Sequence, residues 1–231
     1  MPLQIRLSRN SLRPVPDSLE ARMTHSRRTI LKAGATAAAL TATGMALVEG
    51  AGQAKTLPLT PCTPGATTPS NIEGPYFKPN TPERSDLVTP GITGVYLTVS
   101  GTVFTQNCAP VDRALIEAWQ CDSKGKYDNV SYTLRGHFYT DANGKFSFKT
   151  IVPADYVDQG QFRTPHIHIK VQRPNAQVLT SQLFFPDDTE AYGKNFAQMN
   201  SRDGFIDRRC TIALGPKADN HYDGTFDLVT Y

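Results

Sequence analysis

The chain has 231 residues, 39% of them hydrophobic and 19% charged, with a formal net charge of +3. Such a composition excludes a disordered tail, which is poorer in apolar groups and richer in net charge. The 17 glycines and 17 prolines follow no fixed period, which excludes collagen, and this length suits one domain, at most two, around a sizeable core.

The basic excess is confined to the start. Residues 1–54 carry seven basic and three acidic side chains, whereas residues 55–231 carry 17 basic and 18 acidic. No persistent basic footprint remains for a nucleic acid or a membrane surface. Ser26-Arg27-Arg28-Thr29-Ile30-Leu31-Lys32 leads into an Ala-, Thr-, Gly- and Leu-rich run from Ala33 to Val48, then Gly52-Gln53-Ala54. A charged start, a modest apolar stretch and a small-residue exit make a cleavable export signal over 1–54. The stretch is too short and too weakly apolar for a stable membrane span. The paired arginines resemble a twin-arginine signal, with a Sec signal or an uncleaved helix as the plainer alternatives. The expectation is a periplasmic or extracellular protein, with no membrane association once the signal is removed.

Cys62, Cys108, Cys121 and Cys210 all follow that segment. An even count in an oxidising compartment predicts two disulfides, with three connectivities open. Their spacings match no zinc-finger pattern.

Residues 55–92 are rich in Pro, Thr and Gly and read as an extended arm. From residue 93 to 231 the pattern is that of an all-β domain. Val95, Leu97 and Val99 alternate with polar neighbours, the period of a half-buried strand that continues through Val103. Leu115–Trp119 and Tyr132–Tyr139 are the next two strands. Asn143-Gly144 marks a hairpin turn, because Asn-Gly accepts the positive φ angles that tight turns need. Phe146 and Phe148 then share one strand face. Pro165–Val171 and Val178–Phe185 follow, and 189–199 has room for one short helix. Short strands at regular spacing predict a β-sandwich. There is no internal repeat.

Candidate chemistry converges on two histidines and two tyrosines. In His166-Ile167-His168-Ile169-Lys170-Val171 the apolar residues share one strand face, so His166 and His168 share the other. Two positions along a strand is about 6.5–7 Å, which lets both imidazoles reach one metal ion. The pair alone also suits a solvated strand face. Arg163 lies five positions before His168, Tyr156 lies ten positions before His166 in a segment that reads as a strand end followed by a loop, and Tyr127 sits in a polar turn.

Five segments carry a resemblance to the intradiol ring-cleavage dioxygenases, the family of protocatechuate 3,4-dioxygenase. They are Glu73-Gly-Pro-Tyr76-Phe77; Ala118-Trp119-Gln120 with Gly125-Lys-Tyr127; Leu134-Arg135-Gly136 with Thr140-Asp141-Ala-Asn-Gly144; Thr150-Ile-Val-Pro153 with Tyr156; and Arg163-Thr-Pro-His166-Ile-His168, followed by Leu179-Thr-Ser-Gln182-Leu-Phe-Phe185. The match runs over about residues 70–188. It is closest to shorter exported members that share a Cys-Asp-x-x-Gly-x-Tyr turn.

The resemblance implies a mononuclear non-haem Fe(III) held by Tyr127, Tyr156, His166 and His168. It implies an enzyme that opens a catechol-type ring between its two hydroxylated carbons with O₂, giving a muconate-type diacid. Tyr156 would also act catalytically by taking a substrate proton. Arg163 and Gln182 would steady charge on the substrate, and Tyr76 would line the substrate side. The donor chemistry agrees, since two phenolates favour a hard oxidised metal and a strong cation stabilises the anion of an acidic ligand.

Two departures stand out. The family's Pro-Gly before the second tyrosine is here Pro153-Ala154-Asp155. No helical N-terminal region of the kind that dimerises catechol and hydroxyquinol members is read, which leans toward a protocatechuate-like or a broad exported enzyme. Arg84 and Arg135 are candidate anchors for a substrate carboxylate, and a homodimer is expected from the family. The competing reading is a non-catalytic secreted binding sandwich of the transthyretin or immunoglobulin type, because fold alone does not fix function.

Overall fold

The structure, a computed structural model, describes residues 62–231; the expected export signal (1–54) and the first residues of the arm lie outside them. Two sheets face each other. The first is built on β1 (Tyr96–Thr105), which pairs antiparallel with β4 (Lys145–Ile151) on one side. On its other side β1 takes two parallel partners in succession, β10 (His221–Thr225) and β11 (Leu228–Thr230). The short β9 (Ala213–Leu214) extends this sheet beyond β10. Between β10 and β11 the chain steps over Gly101, where an added methyl would sit 1.9 Å from the Phe226 carbonyl oxygen. Only glycine admits that approach.

The second sheet is antiparallel, in the order β3 (Arg135–Tyr139), β2 (Leu115–Trp119), β7 (His166–Gln172), β8 (Leu179–Phe184). A separate hairpin pairs β5 (Tyr156–Asp158) with β6 (Gln161–Arg163). One helix, α1 (Phe196–Arg202), starts at Asn195, whose side chain accepts from the Gln198 N–H as a helix cap.

The core lies between the sheets and follows from strand alternation. Leu97, Val99, Val103, Phe146 and Phe148 face Ile116, Ala118, Ile167, Ile169 and Val171 in one buried cluster. Burying each large apolar side chain contributes about 1.5–3 kcal/mol. In β7 this commits the odd-numbered residues to the core and fixes which face His166 and His168 occupy.

Most of the expected strands are present. The third is shorter than expected, because Leu134 takes a positive φ of 54° and Tyr132–Leu134 form a turn. The helix lies later than expected, over Phe196–Arg202. The arm, 62–92, forms no strand of its own, although single bridges join Glu83 to His137 and Asp86 to Lys149.

The expectation of two disulfides is corrected to one. Cys62 pairs with Cys108, 46 residues away, and ties the arm to the turn after β1. Closing a loop of that length stabilises a fold by about 4 kcal/mol on the chain-entropy account. Cys121 and Cys210 are free and buried in different surroundings. The Cys121 thiol points at the Ala154 carbonyl, and the Cys210 thiol lies beside Ser181 and the Pro69 carbonyl. They behave as small core residues.

Candidate metal centre

Strand register places four buried side chains in one row across the outer face of the second sheet. Arg135 pairs with Trp119, Trp119 with His168, and His168 with Gln182. All four are at most 1% exposed, so this face is not solvated. The Trp119 indole lies flat on the His168 ring, with centroids 4.8 Å apart and an interplanar angle of 7°.

The arm covers this row. Ile72 accepts from Gln182 Nε2 through its carbonyl (2.9 Å), and Tyr76 accepts from Arg135 Nη1 through its own (2.6 Å). Phe77 packs edge-on to Trp119 at 5.1 Å. Gly74 passes closest to the histidines, and a Cβ there would stand 3.3 Å from His168 Cε1. Its φ of +73° also suits glycine.

The tyrosines arrive from elsewhere. Tyr127 comes from the β2–β3 loop and Tyr156 from the first residue of β5. The two segments fit because Gly125 has no side chain; a Cβ there would meet the Asp155 carbonyl oxygen at 2.6 Å. The four polar tips then form a chain. Tyr127 Oη lies 3.4 Å from Tyr156 Oη, Tyr156 Oη 3.4 Å from His166 Nε2, and His166 Nε2 3.2 Å from His168 Nε2. Atoms that each stand about 2.0–2.2 Å from one ion are roughly 3–3.5 Å from one another. Each neighbouring pair of tips therefore has the spacing of two ligands on one ion.

Electrostatics point the same way. Burial pushes the His166 pKa down to about 3, with the nearby Arg163 charge adding to the effect. Burial likewise holds His168 well below its ordinary value, reinforced by His166, Arg163 and Arg135. Both imidazoles are thus neutral at physiological pH, the form that ligates metals. The Thr164 carbonyl lies 2.6 Å from His166 Nδ1 and takes that N–H, which leaves Nε2 as a bare lone pair. Burial raises the Tyr156 phenol to about 12 and Tyr127 well above its ordinary value. Without a cation both would stay protonated. Among the described residues there is no group of three or more His, Cys, Asp or Glu placed to hold a metal. The donors gathered here are half phenol, and two deprotonated phenols match a hard, highly charged ion.

Arg163 lies beside this cluster as the cross-strand partner of Tyr156. Its Nε donates to Asp203 Oδ2 at 3.1 Å and its Nη2 to Gln182 Oε1 at 2.6 Å. Asp203 also accepts from the Thr164 N–H (2.8 Å), and Asn200 Oδ1 accepts from the Thr164 hydroxyl (2.7 Å). One buried carboxylate thus positions both the guanidinium and the segment that orients His166.

Seven of the residues singled out from the sequence lie at this place: Tyr76, Tyr127, Tyr156, Arg163, His166, His168 and Gln182. The Tyr76 ring stacks on Tyr127 at 4.3 Å and meets Tyr156 edge-on at 6.2 Å. The carboxylate-anchor role expected for Arg84 and Arg135 is not supported. Arg84 Nε donates to the Arg135 carbonyl at 3.0 Å, and Arg135 spends its donors on the Tyr76 and Asp128 carbonyls. Sequence reading missed Trp119 as the platform under His168, and it missed Asp203, Asn200 and Thr164. Register against His168 could have found Trp119; nothing local marks Asp203, 40 residues after Arg163.

Comparisons with known proteins converge. A family model described as Dioxygenase matches residues 72–230. Catechol 1,2-dioxygenase 2 of Acinetobacter lwoffii is 32% identical over 164 residues, covering 60% of this chain and 58% of that protein. The chain spans about half the length of the curated relatives it matches. Among solved structures, the dioxygenase domain of a dioxygenase and carbohydrate-binding protein fusion from the cellulolytic bacterium Streptomyces sp. SirexAA-E is 41% identical, with TM-score 0.62, and covers 71% of this chain and 98% of that one. An intradiol ring-cleavage dioxygenase from Tetranychus urticae is 26% identical with TM-score 0.60, covering 71% and 94%. With more than half of its length matched, the chain belongs to the intradiol ring-cleavage dioxygenase family.

Proposed function

We propose that the protein is a non-haem Fe(III) intradiol dioxygenase. It takes a catechol-type diol and O₂ and opens the ring between the two hydroxylated carbons, giving a muconate-type diacid. The observation that carries this reading is the unbroken chain of donor atoms, at 3.4, 3.4 and 3.2 Å, through Tyr127, Tyr156, His166 and His168. These four residues would hold the iron. A ferric ion held there would make the phenols and the diol more acidic and would supply the oxidised metal that this chemistry needs.

The chain's own residues divide the remaining work. Thr164 keeps the His166 proton on Nδ1, and Trp119 keeps the His168 ring in plane. Tyr156 is half-buried, and its hydroxyl makes only 3.4 Å contacts, long for hydrogen bonds. Standing opposite the Arg163 cation across the hairpin, it is the phenol assigned to take a proton from a diol hydroxyl at Oη. Arg163, held by Asp203 and Gln182, sets a fixed positive charge beside the place where the diol becomes anionic. Such preorganised charge is worth most in a water-poor site. Tyr76 closes the substrate side by stacking on Tyr127.

The test is to purify the protein, load it with ferric ion, and measure its visible spectrum, its O₂ uptake with catechol and its product. The expected result is a red-brown phenolate-to-iron band and a ring-opened diacid. A colourless protein that stays inert after ferric loading overturns the reading, as does a product opened outside the diol pair.

The same proposal places the protein outside the cytoplasm. Arg27 and Arg28 in their sequence setting support this, and so does a disulfide at Cys62–Cys108, a bond that persists in oxidising compartments. Changing Arg27→Lys together with Arg28→Lys should leave precursor inside the cell; unchanged export would remove the twin-arginine assignment.

A further inference from the structure

We infer that Asp158 is a specificity-determining residue that turns the substrate pocket against acidic rings and toward catechols carrying no negative substituent. The inference rests on the dioxygenase reading above and deepens it. Asp158 lies two positions after Tyr156 on β5, so both side chains leave the same face of that strand. Its Oδ1 accepts a hydrogen bond from Tyr76 Oη at 3.0 Å. Tyr76 in turn lies flat on Tyr127 and edge-on to Tyr156. The carboxylate is thus tied to the ring that packs against both phenols, and it remains partly exposed.

The three guanidiniums nearest the four donor atoms are already engaged by other partners. Arg163 is buried and already bonded to Asp203 and Gln182. Arg135 is fully buried and bonded to the Tyr76 and Asp128 carbonyls. Arg84 is turned to the Tyr132 and Arg135 carbonyls. A ring carboxylate entering beside Tyr76 therefore meets a negative charge, while Arg163, Arg135 and Arg84 hold other partners. Two like charges several Å apart in a site of intermediate dielectric disfavour binding by roughly a factor of ten or more. A ring hydroxyl or ammonium at the same place could instead donate to the second oxygen of Asp158. Tyr76 thereby gains a specific purpose: it aims the carboxylate while its ring packs on Tyr127.

The experiment is an anaerobic optical titration of the ferric-loaded protein with catechol and with 3,4-dihydroxybenzoate, reading the dissociation constant of each from the shift of the visible band. The wild type should bind catechol at least about tenfold more tightly than the carboxylated ring. Asp158→Asn should bring the ratio to within about threefold, and Asp158→Lys should reverse it. Added salt should shrink the wild-type ratio and leave that of Asp158→Asn unmoved, because only a charge effect is screened. A ratio that Asp158→Asn and Asp158→Lys both leave unchanged, while both diols still shift the band, overturns the role of Asp158 alone. If neither diol perturbs the spectrum of the loaded wild type, the dioxygenase reading fails instead.

Discussion

The two halves of the candidate metal centre are built differently. The imidazoles stand on β7, in the middle of a four-stranded sheet, with Ile167, Ile169 and Val171 anchoring the opposite face in the core. They are about 1% exposed, and each is held by a neighbour, His166 by the Thr164 carbonyl and His168 by the flat indole of Trp119. The phenols come from a loop and from a three-residue strand, and both are only half-buried. The sheet half is fixed by core packing, while the loop half rests on short elements and ring-to-ring contacts. The proposed reaction, in which Tyr156 takes up a substrate proton, would draw on both kinds of support.

The largest effect should come from breaking the rigid half. His168→Ala or His166→Ala is expected to abolish iron retention and the visible band, and to lower kcat/KM by more than about a thousandfold, beyond the 10–100-fold typical of losing a residue that only orients a ligand. Iron content by elemental analysis and the visible spectrum check this; a coloured, active His168→Ala protein would remove the assignment. Tyr156→Phe sharpens the comparison from the loop side. It should keep iron and part of the colour through Tyr127, yet lose about 10²–10⁴-fold in kcat, the contribution of a positioned proton acceptor. Equal loss of iron in both variants would show that the halves do not differ.

The joint between the halves is next. Arg163→Met should cost about 10²–10³-fold in kcat if its charge stabilises the anionic diol. Asp203→Asn should cost less, because the guanidinium stays and only its aim and that of the Thr164 segment suffer. Steady-state kinetics on both variants decide the order. The smallest effect belongs to the cover. Gly74→Ala places a methyl against His168 at a positive φ and should cost about 1–2 kcal/mol, read as a lowered Tm. An unchanged Tm would mean that the arm yields easily at that point.

The rigid half was legible in the sequence because its information is local. Strand alternation in His166–Val171 alone separates core from site, and the apolar runs at Val95–Val103 and Leu115–Trp119 set the flanking strands. The phenols were found through the quoted family segments; Tyr127 in a polar turn has no periodicity to mark it. What could not be read depends on long-range pairing. β10, His-Tyr-Asp-Gly-Thr, has no strand-like alternation and earns its place only by lying parallel to β1. Asp203 shows its purpose only when folding brings it to Arg163. Cysteine parity misled, because Cys121 and Cys210 pack beside different carbonyls and never meet.

The indole against His168 has a practical corollary. The chain contains a single tryptophan, Trp119, and it lies face to face with one of the proposed ligands. Its intrinsic fluorescence is therefore a built-in, label-free gauge of occupancy. Loading with ferric ion should quench it in step with the rise of colour, and chelation should restore it, so that affinity and exchange rate can be followed before any substrate is known.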